Sequence, residues 1–273
     1  MSEPVLEITG LTVAIRGAQI LRGVDLVLEA GRIQGLAGES GSGKTMTGLA
    51  VMGLLPAGAD VGGAITHGKQ DLLALPPRRR NALRGTEIAM VFQDPSTSLH
   101  PMLSAGAQLT DHLRHHLGLG RAAARERAVE LLDRVRIPDP ASALRRFPHQ
   151  FSGGQRQRIA IAIALACSPK VLIADEPTTA LDVTVQAGVL HLLRDLASEM
   201  GLAVLLVTHD LGVMSAIADR VAVMRSGEVV ENGDRFQVFT APAHPYTASL
   251  LASLPGAAGG VQTLDDVRAL EEL

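Results

Sequence analysis

Gly38-Glu39-Ser40-Gly41-Ser42-Gly43-Lys44-Thr45 is the stretch from which the rest of the chain is read. It satisfies the pattern G-x-x-x-x-G-K-[ST] at every fixed position. Ile33-Gln34-Gly35-Leu36-Ala37 before it reads as a short, mostly apolar strand. Met46 to Leu55 behind it runs without proline until Pro56, which suits a helix. Strand, glycine loop and helix together give the pattern a mechanism. Three glycines let the backbone curl so that successive N–H groups converge on phosphate oxygens. The helix N-terminus adds its partial positive charge at the same point. Lys44 is then placed for the β- and γ-phosphates, and the Thr45 hydroxyl for Mg²⁺. The expected ligand is a nucleoside triphosphate.

Bulk properties narrow the field. At 273 residues the chain is long enough for one large domain or two small ones with a full core. The net charge of −3 and the lack of a long basic run give no reason to expect nucleic acid as a partner. With no Trp, a single Tyr246 and five Phe, base-stacking platforms are not expected either. The lone Cys167 rules out an intramolecular disulfide and any all-cysteine metal site. Set among Ala, Leu and Ile, it reads as a small buried hydrophobe. No signal-type apolar segment precedes the first strand. The longest apolar run, Ile159 to Cys167, is less than half of a membrane span. A soluble chain that docks on something in the membrane, at its cytoplasmic face, fits these properties.

Along the chain, Val5 to Ile15 and Ala18 to Leu28 read as two strands turning near Gly17, an antiparallel layer feeding the phosphate-loop strand. Pro56 to Gly68 is glycine-rich and reads as a loop with one short strand around Ala64 to Thr66. Pro76-Pro77-Arg78-Arg79-Arg80 reads as a solvated loop rather than a nucleic-acid patch. Glu87 to Phe92 is a strand ending at Gln93. From Pro95 to about Leu144 the texture becomes helical, with Ala124, Ala128, Leu131, Leu132 and Val135 at helical spacing until Pro138 and Pro140 break it. Val171 to Ala174 and Ala203 to Val207 are continuous apolar runs, the mark of parallel strands buried on both faces. The expected class is α/β: a phosphate-loop core with a parallel sheet, an antiparallel β-layer at the N-terminus and an inserted α-helical subdomain. Residues 1–255 would form this unit, with 94–168 as the insert and 256–273 as a tail.

Polar residues crowd where the two buried strands end, and in parallel α/β sheets ligands bind at those ends. Asp175 stands where a carboxylate can hold Mg²⁺ through water or the Thr45 oxygen. Glu176 follows it, placed to accept the proton of an attacking water. Thr208 and His209 end the second strand. Ser152-Gly153-Gly154-Gln155 opens a helix with a capping serine and two glycines that permit close approach to an anion. That is either a second phosphate site or an ordinary capped helix.

Phosphate loop, Gln93, Ser152-Gly153-Gly154-Gln155, Asp175-Glu176, Ala180-Leu181-Asp182 and His209 resemble, in order and spacing, an ATP-binding-cassette ATPase, over roughly residues 5 to 235. The resemblance implies ATP and Mg²⁺ as ligands and a second such ATPase subunit, identical or homologous, docked head to tail. It implies that Ser152, Gly153, Gly154 and Gln155 bind the γ-phosphate held by the partner's phosphate loop. It further implies Glu176 as general base, His209 orienting water and γ-phosphate, Gln93 contacting Mg²⁺ and water, and Asp182 crossing the dimer interface. Phe92 to Pro101, Phe151 to Arg158 and Ala243-His244-Pro245-Tyr246-Thr247 look like the oligopeptide, dipeptide and nickel importer group. In that group the cassette sits under two integral-membrane permease subunits, whose coupling helix the helical insert receives, and works indirectly with a solute-binding protein.

Two departures stand out. At the position where relatives stack an aromatic on adenine this chain has Ile15, which predicts weaker purine selectivity. A cysteine cluster that many peptide importers carry after His-Pro-Tyr is missing, which leans slightly toward nickel-type members. A non-transport role, such as the accessory ATPases of carbon–phosphorus lyase, is the alternative. DNA-repair cassettes carry long coiled coils or zinc modules for which the insert is too short. Beyond Gly256, Val261, Leu264, Val267 and Leu270 recur three apart in an acidic tail, either a frayed end or a short docking helix.

Overall fold

The computed structural model describes residues 4–93, 98–179 and 181–253. Strands β1 (Pro4–Ile15) and β2 (Ala18–Glu29) form a hairpin whose two turn residues, Arg16 at φ 51° and Gly17 at φ 81°, are both left-handed. That turn suits the twist of an antiparallel pair. β4 (Ala59–His67) joins the other edge of β1, and the short β5 (Gln70–Asp71) closes a four-stranded antiparallel sheet in the order β2-β1-β4-β5. The glycine-rich segment expected to be mostly loop is therefore a nine-residue strand. A Cβ on Gly63 would lie 2.4 Å from the Gly10 carbonyl oxygen, so glycine is there for close strand approach.

The central sheet has six strands in the order β10-β9-β3-β8-β7-β6. β3 (Ile33–Ala37), β6 (Ile88–Val91), β7 (Val171–Asp175), β8 (Ala203–Val207) and β9 (Arg220–Arg225) run parallel; β10 (Glu228–Asp234) pairs antiparallel with β9. Alternation along β7 explains its unbroken apolar sequence. Leu172 and Ala174 face one hydrophobic cluster, Val171 and Ile173 another. The first cluster is built with the helices, the second with β1, β2 and α1 (Lys44–Met52). Helix α1 stops three residues before the expected Leu55 because Gly53 adopts φ 62° as its C-cap.

The Pro76–Arg80 cluster is not a loop. Pro76 caps and Pro77 begins α2 (Pro77–Leu83), where proline's fixed φ suits the first turn. Arg78 and Arg79 are exposed, as the solvated reading expects, whereas Arg80 is half-buried and donates to the Leu75 carbonyl at 3.2 Å. Beyond β6 come α3 (Ala105–Leu117), α4 (Arg121–Arg134), the one-turn α5 (Pro140–Ala143), a 3-10 turn at Pro148–Gln150 and α6 (Gly153–Ala164). Ala124, Ala128, Leu131, Leu132 and Val135 are all buried, as their spacing requires. Helices α7 (Val183–Met200), α8 (Leu211–Ile217), α9 (Arg235–Thr240) and α10 (Pro245–Ala252) complete the described chain. Among the described residues no helix is long and apolar enough to cross a membrane. Asp94 to Thr97, Ala180 and the tail with Val261 to Leu273 lie outside them.

Candidate functional site

The loop between β3 and α1 wraps one side of a cavity of about 770 Å³. Two of its glycines are sterically required. Gly38, at φ 145°, would place a Cβ 2.2 Å from the Met224 carbonyl oxygen, and Gly43, at φ 109°, would place one 2.7 Å from Leu21. Gly41, at φ 80°, faces open space and serves the curl of the loop alone. Lys44 is 5% exposed and donates to the carbonyls of Gly38 at 2.7 Å and Glu39 at 2.8 Å. Burial lowers its pKa, while the nearby charges of Glu176, Asp175 and Glu39 act the other way. The buried Ser42 hydroxyl has no hydrogen-bond partner among the described residues. A curled loop at a helix N-terminus with a lysine ammonium folded onto it is prepared for an anion.

The carboxyl ends of β7 and β8 supply the opposite wall. Thr45 Oγ1 donates to Asp175 Oδ1 at 3.2 Å. Asp175 is 4% exposed, and burial pushes its pKa up despite the Thr45 hydrogen bond and the Lys44 charge. Asp175 does not itself line the cavity, but its carboxyl group is bonded to the Thr45 hydroxyl that does. The two are hard oxygen donors of the kind Mg²⁺ takes, so these residues fit that ion.

Glu176 gathers three partners. His209 Nδ1 lies 2.9 Å from Oε1, and Gln93 Nε2 and Thr179 Oγ1 each donate to Oε2 at 2.9 Å. Burial alone would raise the Glu176 pKa. The hydrogen bonds from His209 and Thr179 and the charges of His209 and Lys44 outweigh it, and the net shift is downward. Glu176 is therefore a carboxylate at neutral pH. Its backbone is left-handed at φ 46°, a conformation that costs a non-glycine residue about 1–2 kcal/mol. Strain of this kind, at a residue held by three side chains, marks a position whose orientation matters.

A family model described as ABC transporter matches residues 21–179, more than half of the chain. The chain belongs to the ABC transporter ATPase family. It is 47% identical to the oligopeptide transport ATP-binding protein OppD of Bacillus subtilis, over 92% of this chain and 72% of that one. It is 49% identical to a putative peptide import ATP-binding protein of Brucella abortus, over 92% and 77%. Among solved structures it resembles CbiO1 from Clostridium perfringens, part of the ABC transporter complex CbiONQ, with TM-score 0.76 and 26% identity over 87% of this chain and 91% of that one. It also resembles a dimeric ATP-binding cassette in a post-hydrolysis state bound to ADP and Pi, with TM-score 0.73 and 29% identity over 84% and 98%. As an ABC ATPase the chain binds and hydrolyses ATP.

Not every expected site residue meets at this cavity. Gln93, Glu176, His209 and the phosphate loop from Gly38 to Thr45 do, apart from the inward Ser42. Ile15 does not. It stands at the hairpin tip, paired with Ala18 and Ala59, and the hairpin residue on the cavity wall is Ile20, five residues on. Ser152, Gly153, Gly154, Gln155 and Asp182 lie outside the cavity as a second cluster. There Ser152 Oγ accepts from the Gln155 N–H at 3.3 Å while Gln155 Oε1 accepts from the Ser152 N–H at 3.1 Å, a capping box. Asp182 caps α7 through the Val185 N–H at 3.0 Å. The two glycines of the ABC cassette's second cluster differ in their reasons. A Cβ on Gly154 would meet Val185 at 2.2 Å, whereas one on Gly153 would meet Leu181 at an ordinary 3.4 Å. Packing within this chain requires Gly154 and leaves Gly153 room. Sequence reading missed Thr179, Ile20, Met46 and Leu250; only Thr179, three residues after Glu176, carried a local signal.

Proposed function

We propose that this cassette is the energy-coupling ATPase subunit of a peptide importer, working as a head-to-tail dimer at the cytoplasmic face of the membrane beneath two permease subunits fed by a solute-binding protein. The observation that carries the catalytic part is the Glu176 cluster at the open end of the phosphate loop. Glu176 takes the proton of the attacking water, and His209 and Gln93 hold the carboxylate and that water in place. Lys44 and the loop N–H groups bind the β- and γ-phosphates. Mg²⁺, held by Thr45 and Asp175 with Gln93 close by, would neutralise charge on the phosphate oxygens. Ser152, Gly153, Gly154 and Gln155 grip the γ-phosphate of the partner's nucleotide, and Asp182 meets the partner beside them. The room at Gly153 supports this, since nothing in its own chain demands a glycine there.

Between peptides and chelated nickel, the two cargo classes the sequence leaves open, the relatives' names favour peptides. Residues 1–255 act as the ATPase unit, 94–168 as the insert that meets the permease, and 256–273 as an appended tail. Purification of the tagged protein from detergent-solubilised native membranes, with subunits identified by mass spectrometry, tests the assembly. Two polytopic permeases and a second cassette are the expected companions. Recovery with soluble enzymes alone would overturn transport in favour of an accessory ATPase such as those of carbon–phosphorus lyase.

A further inference from the structure

The segment Ala243-His244-Pro245-Tyr246-Thr247 is tied into the molecule at several points. Glu231 on β10 accepts from the N–H groups of Ala243 at 2.7 Å and His244 at 3.0 Å. His244 Nδ1 accepts from the Tyr246 N–H at 3.1 Å and caps α10, whose first residue is Pro245. The Arg225 guanidinium lies 4.7 Å from the centroid of the Tyr246 ring. Tyr246 is 9% exposed and faces Glu39 of the phosphate loop. Four residues along the helix, Leu250 reaches the nucleotide cavity. These contacts press a helix against the phosphate loop at Glu39.

Of the described residues lining that cavity, three carry apolar side chains: Ile20, Met46 and Leu250. Met46 adjoins Thr45 at the start of α1, on the phosphate side. Ile20 and Leu250 remain for the apolar end of a nucleotide. We propose that Leu250, together with Ile20, forms the aliphatic wall on which the base of bound ATP rests, and that Tyr246 is the positioning residue that holds α10 there. This rests on the reading of the phosphate loop as the ATP site. A wall of aliphatic carbons recognises the area of a base and offers no donor or acceptor to its edge, so adenine and guanine should be held alike.

The test is calorimetric titration of the full chain, and of Leu250→Ala, with Mg-ATP and with Mg-tripolyphosphate, which has the phosphates without the base. Leu250→Ala should weaken ATP about five- to tenfold, the loss expected for most of one leucine's apolar contact. Its tripolyphosphate affinity should change less than about twofold, because the phosphate contacts are untouched. Leu250→Phe, which restores a ring for stacking, should tighten ATP instead. Tyr246→Ala should also weaken ATP, by releasing α10 from Arg225 and Glu39. Unchanged ATP affinity in Leu250→Ala and Leu250→Phe would overturn the proposal, as would equal losses for both ligands. Failure of tripolyphosphate to bind the unsubstituted chain would instead overturn the phosphate-loop reading beneath it.

Discussion

Glu176→Gln isolates the base from the scaffold that holds it. Glutamine is nearly isosteric, and its carbonyl oxygen can take the place of Oε2, keeping the 2.9 Å bonds from both Gln93 and Thr179. Its amide group then faces His209 Nδ1, an acceptor in one neutral tautomer. The carboxylate alone is removed, and with it the site for the proton of water. A positioned general base contributes roughly 10²- to 10⁴-fold. Turnover should therefore fall at least about 10²-fold, or about 2.7 kcal/mol in the barrier. ATP binding should survive, because Lys44 and the loop backbone keep their places and Asp175 and Glu39 still favour the Lys44 charge. The assay is phosphate release at saturating Mg-ATP, read beside equilibrium ATP binding and a thermal melt. A kcat within about threefold of the unsubstituted protein, with ATP bound and the fold intact, would refute the assignment, since it falls far short of a general base's share.

Other expectations follow from the same geometry. Asp175 is buried with its pKa raised, so the folded state binds its proton more tightly than the unfolded state does, and stability falls as pH rises from its ordinary 3.8 through the folded value. Asp175→Asn should accordingly raise the melting temperature of the nucleotide-free protein near neutral pH, by about 2–4 °C for each kcal/mol recovered, while weakening Mg²⁺-dependent ATP hydrolysis; a lower melting temperature would contradict the burial argument. Glu176 has the opposite sign. Its pKa is lowered, so its stabilising contribution is present above 4.5 and lost as pH falls through the folded value. A pH–rate profile should place any acid limb due to Glu176 below pH 4.5, and a limb near neutrality that vanishes in Glu176→Gln would disprove this. Gly153→Ala should leave the melt unchanged but lower turnover, whereas Gly154→Ala should destabilise the chain by about 1–3 kcal/mol through its clash with the stiff Val185. Equal melts for the two variants would remove the distinction.

Much of this molecule can be read from its sequence because its central strands are buried on both faces. Val171 to Ala174 and Ala203 to Val207 need no alternation to be recognised, and Gly38 to Thr45 announces its own flanking elements. Glycine and proline misled where they served packing. Gly62 and Gly63 look like loop residues in sequence, yet they let β4 approach β1; Pro76 and Pro77 look like breakers, yet they begin α2. At the site, residues from adjacent strand ends were legible because parallel topology brings them together. Leu250 was not, because it comes to the cavity from a helix after the last strand of the sheet, and no local pattern announces that return. That Ile20 and not Ile15 lines the cavity has a similar cause. A residue's place in a hairpin is visible, but that the Ile20 backbone passes close to Gly43 and Gly227 depends on how the hairpin packs on the loop.

The cavity and the Ser152–Gln155 turn belong to one chain but not to one place. Such a molecule has a reaction order. If each turnover needs the turn of one copy over the nucleotide of another, activity per chain is not a constant of the protein. Under dilution it declines in proportion to concentration once copies separate faster than they meet, although each still carries its ATP. An inactive copy that retains its turn could then lend it to an active one. Anchoring to a common platform would remove that dependence by replacing bulk concentration with a fixed local one, so the platform would set the rate without touching the reacting atoms.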